Sequence, residues 1–295
     1  MDTIKKRIIL TPLNILYKFN PKLELKAIYR LKHGYKLNLK NPKTYSEKLQ
    51  WIKLYDRNPL MPKCVDKYTV RKYIESKGCK KILNDLLWQG FNPDDIPYES
   101  LPKKFVIKVT HGSTFNIICT DKSKLDIEDT NKKLKKWLKE KFIPCYGEWF
   151  YGIEKPRIIV EKFLEDNKIK NDLYDYKVFC FNGEPKYIHV HCGRYTEHKR
   201  NIYDIDWNLR KDASIKYKPI GNVEKPKELN ELLRYARILS EDFNHVRVDF
   251  FIVNGKIYFG ELTFTCGAGL DKIKPYEFDL EMGNYLKLPI EKRVD

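Results

Sequence analysis

The chain lacks any apolar run near the ~18 residues that a membrane-spanning helix requires. Its one early apolar stretch, Ile8 to Phe19, is short and interrupted by Pro12 and Asn14. No small-residue cleavage pattern follows it, so no signal peptide is expected. The seven cysteines contain no C-x-x-C pair, which argues against a zinc ribbon or a disulfide framework and suits a reducing cytosol. Repeats and low-complexity segments are absent. So are zinc-finger, RRM and homeodomain signatures, which removes nucleic acid from the expected partners. Acidic residues are the other shortage: 40 Asp and Glu face 57 Lys and Arg, for a net charge of +17. Residues 1–60 alone hold 14 basic and 4 acidic side chains, a local +10. A basic start of this kind docks on an anionic surface or is simply solvated. What remains is globular: 42% hydrophobic and 14% aromatic over 295 residues, enough for one multi-lobed domain or two domains.

Residues 1–60 read as helices, with Leu23, Ile28 and Leu31 near helical spacing and Thr44-Tyr45-Ser46-Glu47 as a capping pattern. Another helix is expected from Asp66 to Ser76, stopped by Gly78. Residues 79–102 hold Pro93, Pro97 and Pro102 and read as loop. Strands are expected at 104–110, 157–163, 175–182 and 186–192, the last two joined by Asn182-Gly183, a hairpin signal. Helices follow at 126–141 and 227–243, then a closing hairpin at 246–262 and a short terminal helix. Mixed helices and antiparallel hairpins make the class α+β.

The closing hairpin carries the most chemistry. His245-Val246-Arg247-Val248-Asp249-Phe250 is an apolar strand holding an Arg and an Asp. Asn254-Gly255 is its turn, and Phe259-Gly260-Glu261-Leu262-Thr263 returns a Glu. Such a hairpin sets Asp249 beside Glu261, and two convergent carboxylates with an Arg suit Mg²⁺ on a nucleotide's phosphates. Lys108 lies inside the apolar strand 104–110, where a cation is costly unless it meets an anion. It runs into His111-Gly112-Ser113-Thr114, a small turn whose backbone N–H groups suit phosphates. Asp175 and Lys177 share a strand. Lys177 is a candidate for the phosphates and Asp175 for a ribose, and both read equally well as packed strand residues. His189 and His191 alternate on one strand face without a third metal ligand at convincing spacing, so substrate contacts or a packed polar face are expected. Asp66, Lys67 and Arg71 are expected to form a local ion pair on one helix.

These stretches resemble the TupA-like (teichuronopeptide-biosynthesis) branch of the ATP-grasp superfamily over roughly residues 40–270. The marks are Asn41-Pro42-Lys43-Thr44, Glu47-Lys48-Leu49-Gln50-Trp51, Asp66-Lys67-Tyr68 with Val70-Arg71, Lys108 with His111-Gly112-Ser113, and Val160-Glu161-Lys162. Asp175-Tyr176-Lys177, Phe181-Asn182-Gly183, Tyr203-Asp204 with Asp206-Trp207, Arg247-Val248-Asp249-Phe250 and Glu261-Leu262-Thr263 continue the series. The resemblance implies that Asp249 and Glu261 hold Mg²⁺, that Arg247 acts on the transferring phosphoryl group, and that the strand ending in Glu161, with Lys162, Phe163 and Leu164, serves the adenine edge. Thr263 stands where such enzymes usually place a metal-binding Asn.

The resemblance further implies an ATP-dependent, ADP-forming carboxylate–amine ligase working on a cell-surface polysaccharide. Its partners would be ATP, an acidic sugar or glycan carboxylate, and an amino acid or amine. The expected organisation is a helical basic region at 1–62, a pre-ATP-grasp region at 63–103, and a catalytic region at 104–295 with lobes of about 104–160 and 161–295. The alternative is a glycosyltransferase of the same pathway, for which no dedicated nucleotide-sugar feature is visible. A non-catalytic basic binding module would have no use for the Asp249–Glu261–Arg247 cluster. A cytoplasmic protein is expected, held at the inner face of the membrane if its basic start binds anionic lipid.

Overall fold

A computed structural model describes residues 9–112, 114–166, 173–193, 196–213 and 217–290. Ser113 of the phosphate turn, and Lys5, Lys6 and Arg7, lie outside the described residues. Two antiparallel sheets organise the molecule. The first has four strands in the order β1-β4-β2-β3: β1 (Leu86–Gly90), β2 (Phe105–Val109), β3 (Asn116–Cys119) and β4 (Ile158–Lys162). The second has five in the order β7-β6-β5-β8-β9: β5 (Asp175–Phe181), β6 (Glu184–Cys192), β7 (Lys199–Asp204), β8 (His245–Val253) and β9 (Lys256–Thr263).

Three of these strands differ from the sequence reading. β1 falls in the stretch expected to be loop, and β3 and β7 were not expected as strands. Each is short or polar, so pairing with a neighbour rather than its own pattern makes it a strand. The two Asn-Gly turns behave as expected: Asn182 and Gly183 have φ of 49° and 84°, and Asn254 and Gly255 have 50° and 77°, the positive pair that a two-residue hairpin turn demands.

Each sheet has its own core. Phe105, Ile107, Val109, Ile158 and Val160 pack with Leu134 of α6 (Ile127–Leu138). In the second sheet Val178, Cys180, Ile188, Val190, Val246, Val248 and Phe250 are fully buried. They cover Leu229, Leu232, Ala236 and Leu239 of α7 (Leu229–Ser240), whose apolar residues recur at helical spacing. Strand alternation sends the intervening residues of β5, β6 and β8 to the opposite face.

That opposite face is met by the start of α3 (Tyr45–Tyr55), whose Tyr45 ring packs on Phe179, Phe181 and His245; the other amino-terminal helices are α1 (Thr11–Phe19), α2 (Pro21–His33) and the shorter α4 (Leu60–Val65) and α5 (Val70–Ser76). α3 begins with the expected capping box. Thr44 Oγ1 accepts from Glu47 N at 3.2 Å, and Thr44 N donates to Glu47 Oε2 at 3.2 Å. It is bolted to α8 (Tyr276–Tyr285): Ser46 N donates to Asp279 Oδ1 at 2.9 Å, and Lys48 Nζ donates to the carbonyls of Gly283 and Leu286 at 2.7 Å each. α2 packs Leu25 and Ile28 against Cys145, Ala268 and Leu270.

Within that last contact Glu24 is fully buried and neither carboxylate oxygen has a hydrogen-bond partner among the described residues. Burial pushes its pKa up to about 8, against the opposing pull of Lys53. A folded-state pKa above the unfolded value favours folding fully below about pH 4.3, and that contribution is lost as pH rises through about 8. Glu24→Gln should remove the loss, so the variant's Tm minus the wild-type Tm should grow from pH 5 to pH 8.5. A difference that stays flat across that window would contradict the buried carboxylate's role.

Candidate active site

Strand register assembles a polar surface from residues far apart in sequence. Lys177 lies opposite both His189 and Asp249, and Asp249 lies opposite Glu261. A row of four polar side chains thus crosses β6, β5, β8 and β9. Beside it, Asp175 lies opposite His191, and Arg247 opposite Thr263. The β8–β9 register shifts just after Asp249, at Gly260. A side chain at Gly260 would meet the Asp249 carbonyl oxygen at 3.0 Å, so glycine is what allows this bulge next to the carboxylates.

Arg247 is the hub. Its Nε donates to Asp249 Oδ1 at 2.6 Å, and one terminal nitrogen donates to Asp249 Oδ2 at 2.6 Å, to Glu261 Oε1 at 2.8 Å and to Thr263 Oγ1 at 3.0 Å. Burial opposes its charge, but Asp249, Cys266 and Glu261 outweigh burial and hold its pKa well above the ordinary value. Lys177 Nζ bonds Asp249 Oδ2 and lies 2.7 Å from Asp175 Oδ2. Its side chain is 5% exposed, so the expected strand cation is present and satisfied by two carboxylates. Thr263 Oγ1 donates to Glu261 Oε1 at 3.0 Å.

Asp175, Asp249 and Glu261 against Lys177 and Arg247 leave one formal negative charge. Among the described residues no group of three or more His, Cys, Asp or Glu side chains is arranged to hold a metal. Two carboxylates and a hydroxyl nevertheless fit Mg²⁺. That ion typically takes one or two protein carboxylates and completes its shell with water and phosphate oxygens, not with an all-protein cage.

The first sheet contributes the facing half. Lys108 Nζ donates to Glu161 Oε2 at 2.6 Å, and Arg71 donates to Glu161 Oε1 at 3.3 Å and to the Asn84 carbonyl at 2.8 Å. Lys67 Nζ donates to the Thr110 carbonyl at 3.3 Å and to the Gly112 carbonyl. Burial lowers the Lys67 pKa and Lys108 lowers it further, while Glu261 is the strongest of the carboxylates drawing it back up. Lys67 therefore feels charges of both sheets.

This corrects the expected local ion pair of Asp66, Lys67 and Arg71. Asp66 is extended (φ −83°, ψ 127°), and the helix begins only at Val70. Asp66 Oδ1 instead accepts from the N–H groups of Tyr68 and Thr69, both at 2.9 Å, and the two cations reach outward to the strands.

The turn after β2 is held from several sides. The His111 ring Nε2 lies 2.8 Å from the Glu140 carbonyl. A Cβ on Gly112 would come within 2.0 Å of the Phe115 ring, so only glycine passes there. At the end of β4, Lys162 N donates to the Asp85 carbonyl at 3.0 Å, and the Lys162 carbonyl accepts from Asn84 Nδ2 at 2.8 Å. The Lys162 side chain points to solvent, 3.4 Å from Asp85. Phe163 and Leu164 follow, both half-buried.

Next to Arg247 a cavity of about 230 Å³ opens between the second sheet, the start of α3 and the segment 266–273. Lys177, Arg200, Arg247 and Lys272, with His189, His191, Ser46 and the one carboxylate Asp271, give its lining polar groups, and Tyr45 an aromatic wall. Burial, with nearby cations, pushes the pKa values of His189 and His191 far below the ordinary imidazole range, so both rings are neutral. His189 Nε2 is buried and has no hydrogen-bond partner among the described residues. Sequence reasoning missed Arg200 and undervalued Lys67. Arg200 and Ile202 alternate with Asn201 and Tyr203 in a polar stretch, a weak strand signal that only the pairing of β7 with β6 resolves.

A family model described as TupA-like ATPgrasp matches residues 47–287. Among curated proteins no sequence relative matches. Solved structures similar to this chain include the L-amino acid ligase from Bacillus licheniformis, 12% identical, TM-score 0.49, covering 95% of this chain and 66% of that one. D-alanine–D-alanine ligase from Bacillus anthracis complexed with ATP is 16% identical, TM-score 0.45, covering 79% and 67%. The Helicobacter pylori D-alanine–D-alanine ligase is 15% identical, TM-score 0.40, covering 76% and 61%. The chain thus spans 61–67% of the length of these three proteins. With the family match covering residues 47–287, most of the chain, the chain belongs to the TupA-like ATP-grasp family.

Proposed function

We propose that the protein is an ADP-forming carboxylate–amine ligase that joins an amino acid or amine to a uronic acid of a cell-surface polysaccharide. The observation that carries the reading is Arg247, fixed between Asp249 and Glu261 at the mouth of a cation-lined cavity. Within the reading, the catalytic region at 104–295 closes on ATP from two lobes, with the region at 1–62 packed against it and the region at 63–103 adding β1 to the first sheet. Asp249 and Glu261, with Thr263 beside them, would hold Mg²⁺, which when bound supplies charge neutralisation on the phosphates. Lys108 and Lys67 bind phosphate oxygens, and the His111–Gly112 turn lies against them. The Lys162–Leu164 segment takes the adenine edge, and Asp175 the ribose.

The substrate carboxylate occupies the 230 Å³ cavity, drawn by Arg247, Lys177 and Arg200. One of its oxygens bonds to the γ-phosphorus as the bond from phosphorus to the departing ADP oxygen breaks, giving an acyl phosphate. An amine then bonds to the acyl carbon, phosphate leaves, and the nitrogen loses a proton. A free carboxylate is a poor acyl donor and an acyl phosphate a good one, so the chain's own work is positioning and charge stabilisation. Arg247 presents a fixed planar fork to the oxygens that gain charge, and Lys177 holds Asp249 in place.

The second part of the reading concerns location. Among the described residues no helix is long and apolar enough to cross a membrane. Yet Phe19 is 84% and Leu31 74% exposed, with Ile9, Ile15 and Leu23 also more than half exposed. Ile15 and Phe19 lie on α1, just after Ile9, and Leu23 and Leu31 lie on α2, alongside Lys18, Lys22, Lys26, Arg30 and Lys32, all exposed. Apolar side chains among cations that form no ion pair among the described residues suit the surface of an anionic leaflet.

Mg·ATP should raise the Tm of the wild-type protein by mass action, and the shift should fade in Asp249→Asn and Glu261→Gln. Unchanged shifts in both would refute the metal assignment. Arg247→Ala should keep ATP binding within a few-fold and lose about 100-fold or more in ADP release with a uronic acid and an amine, because it removes a transition-state contact. Sugar transfer from a nucleotide sugar without ATP would overturn the ligase reading. Co-sedimentation should be strong with vesicles containing phosphatidylglycerol at low salt, and weak with neutral vesicles or at high salt. Phe19→Ser with Leu31→Ser should abolish it, and binding indifferent to lipid charge would remove the membrane assignment.

A further inference from the structure

A second cavity, of about 520 Å³, adjoins the first; Lys272 and Ile273 form part of both walls. It lies further out, between the end of α2 and the start of α8, and its lining differs in character. Tyr35 and Tyr276 bring exposed aromatic rings, with Tyr276 52% exposed and the two ring centres 6.5 Å apart at 81°. Lys272 and Lys274 are exposed and form no ion pair among the described residues. The two carboxylates in the wall are already engaged. Asp212 accepts from Arg210 at 2.9 and 2.7 Å, and Asp279 accepts from Ser46 N at 2.9 Å and Ser46 Oγ at 3.1 Å. Asp212 is thus matched by a cation, and Lys272 and Lys274 stand against the single remaining carboxylate of Asp279.

Exposed tyrosine rings beside lysines that form no ion pair among the described residues, in a cavity that shares a wall with the candidate reaction pocket, have a recognisable chemistry. An aromatic face covers the C–H face of a sugar ring while its hydroxyl and the lysines meet polar groups. The inner cavity, at 230 Å³, falls below the ~300–1,000 Å³ of pockets for drug-sized ligands and suits a single sugar-sized unit. We propose that the carboxylate substrate is an oligosaccharide, not a free sugar acid: its reacting uronic acid fills the inner cavity, and the next acidic sugar unit lies in the outer cavity, on Tyr276 and Tyr35, with its carboxylate toward Lys272 and Lys274. This rests on the ligase reading above and adds to it that the chain modifies a glycan after its sugars have been joined.

Calorimetric titration with galacturonic acid and with its α-1,4-linked trimer, in the presence of Mg·ADP, tests it. The trimer should bind at least tenfold more tightly. Tyr276→Ala and Lys274→Gln, both at exposed positions, should each take most of that advantage away and leave the monomer's affinity unchanged. Equal affinity for the two ligands would overturn the proposal, as would an advantage that survives both substitutions. Failure to bind either ligand, with the Mg·ATP thermal shift intact, would overturn it while leaving the ligase reading standing. Loss of the nucleotide shift itself would instead bear on the ligase reading.

Discussion

The grip of Arg247 on Asp249 and Glu261 is the constraint around which the second sheet is arranged. Asp175 and Asp249, both buried, cannot share a strand face with the half-exposed Glu261 without partners, because an unpaired buried charge costs on the order of several kcal/mol. Arg247 satisfies two of them and Lys177 ties the third to the same group. The donors and acceptors come from β5, β8 and β9, so the network also fixes how those strands lie against one another. The cost of placing it there is offset on the other face, where every second residue of the same strands is apolar and packed on α7. A single strand alternation thus produces both the core and the site.

The two sheets meet through charge. Glu161 engages Lys108 on its own sheet and Arg71 from α5. Lys67, one turn earlier in the chain, bonds the Thr110 and Gly112 carbonyls while sensing Glu261 across the gap. The segment 66–71 links the sheets without belonging to either.

The amino-terminal helices have a structural purpose as well as a basic surface. Lys53 is buried and donates to the Tyr146 and Ala268 carbonyls at 2.7 Å each, and Gln50 donates to the Gly269 carbonyl at 2.8 Å. The Ala268 and Gly269 carbonyls belong to the turn Cys266–Gly269, which begins three residues after Thr263 and forms part of the wall of the inner cavity. Burial lowers the Lys53 pKa to about 8, and burial raises that of the neighbouring Glu148 to about 7; Glu148 in turn accepts from Thr265. α3 therefore holds the far side of the cavity by polar bonds to a loop that has little regular structure of its own.

Local chemistry was legible in the sequence wherever a residue's neighbours in the chain were also its neighbours in space. The Asn-Gly turns, the Thr44–Glu47 cap, the α7 periodicity and the Arg247–Asp249–Glu261 hairpin are all of that kind, since a two-residue turn and strand alternation are enough to set them. The short strands β1, β3 and β7 were not legible, because their pairing partners lie far off and their own composition is too polar or too brief. The same distance hid the reach of Arg71 to Glu161, 90 residues away, the position of Arg200 opposite His191, and the meeting of Tyr35 with Tyr276. By itself the sequence determined the α+β class, the family and the carboxylate hairpin, through periodicity and motifs that act within a few residues. Only the tertiary structure decided which cations face those carboxylates and which cavities adjoin them, because buried charge must be satisfied by whatever partner packing brings near, at any separation along the chain.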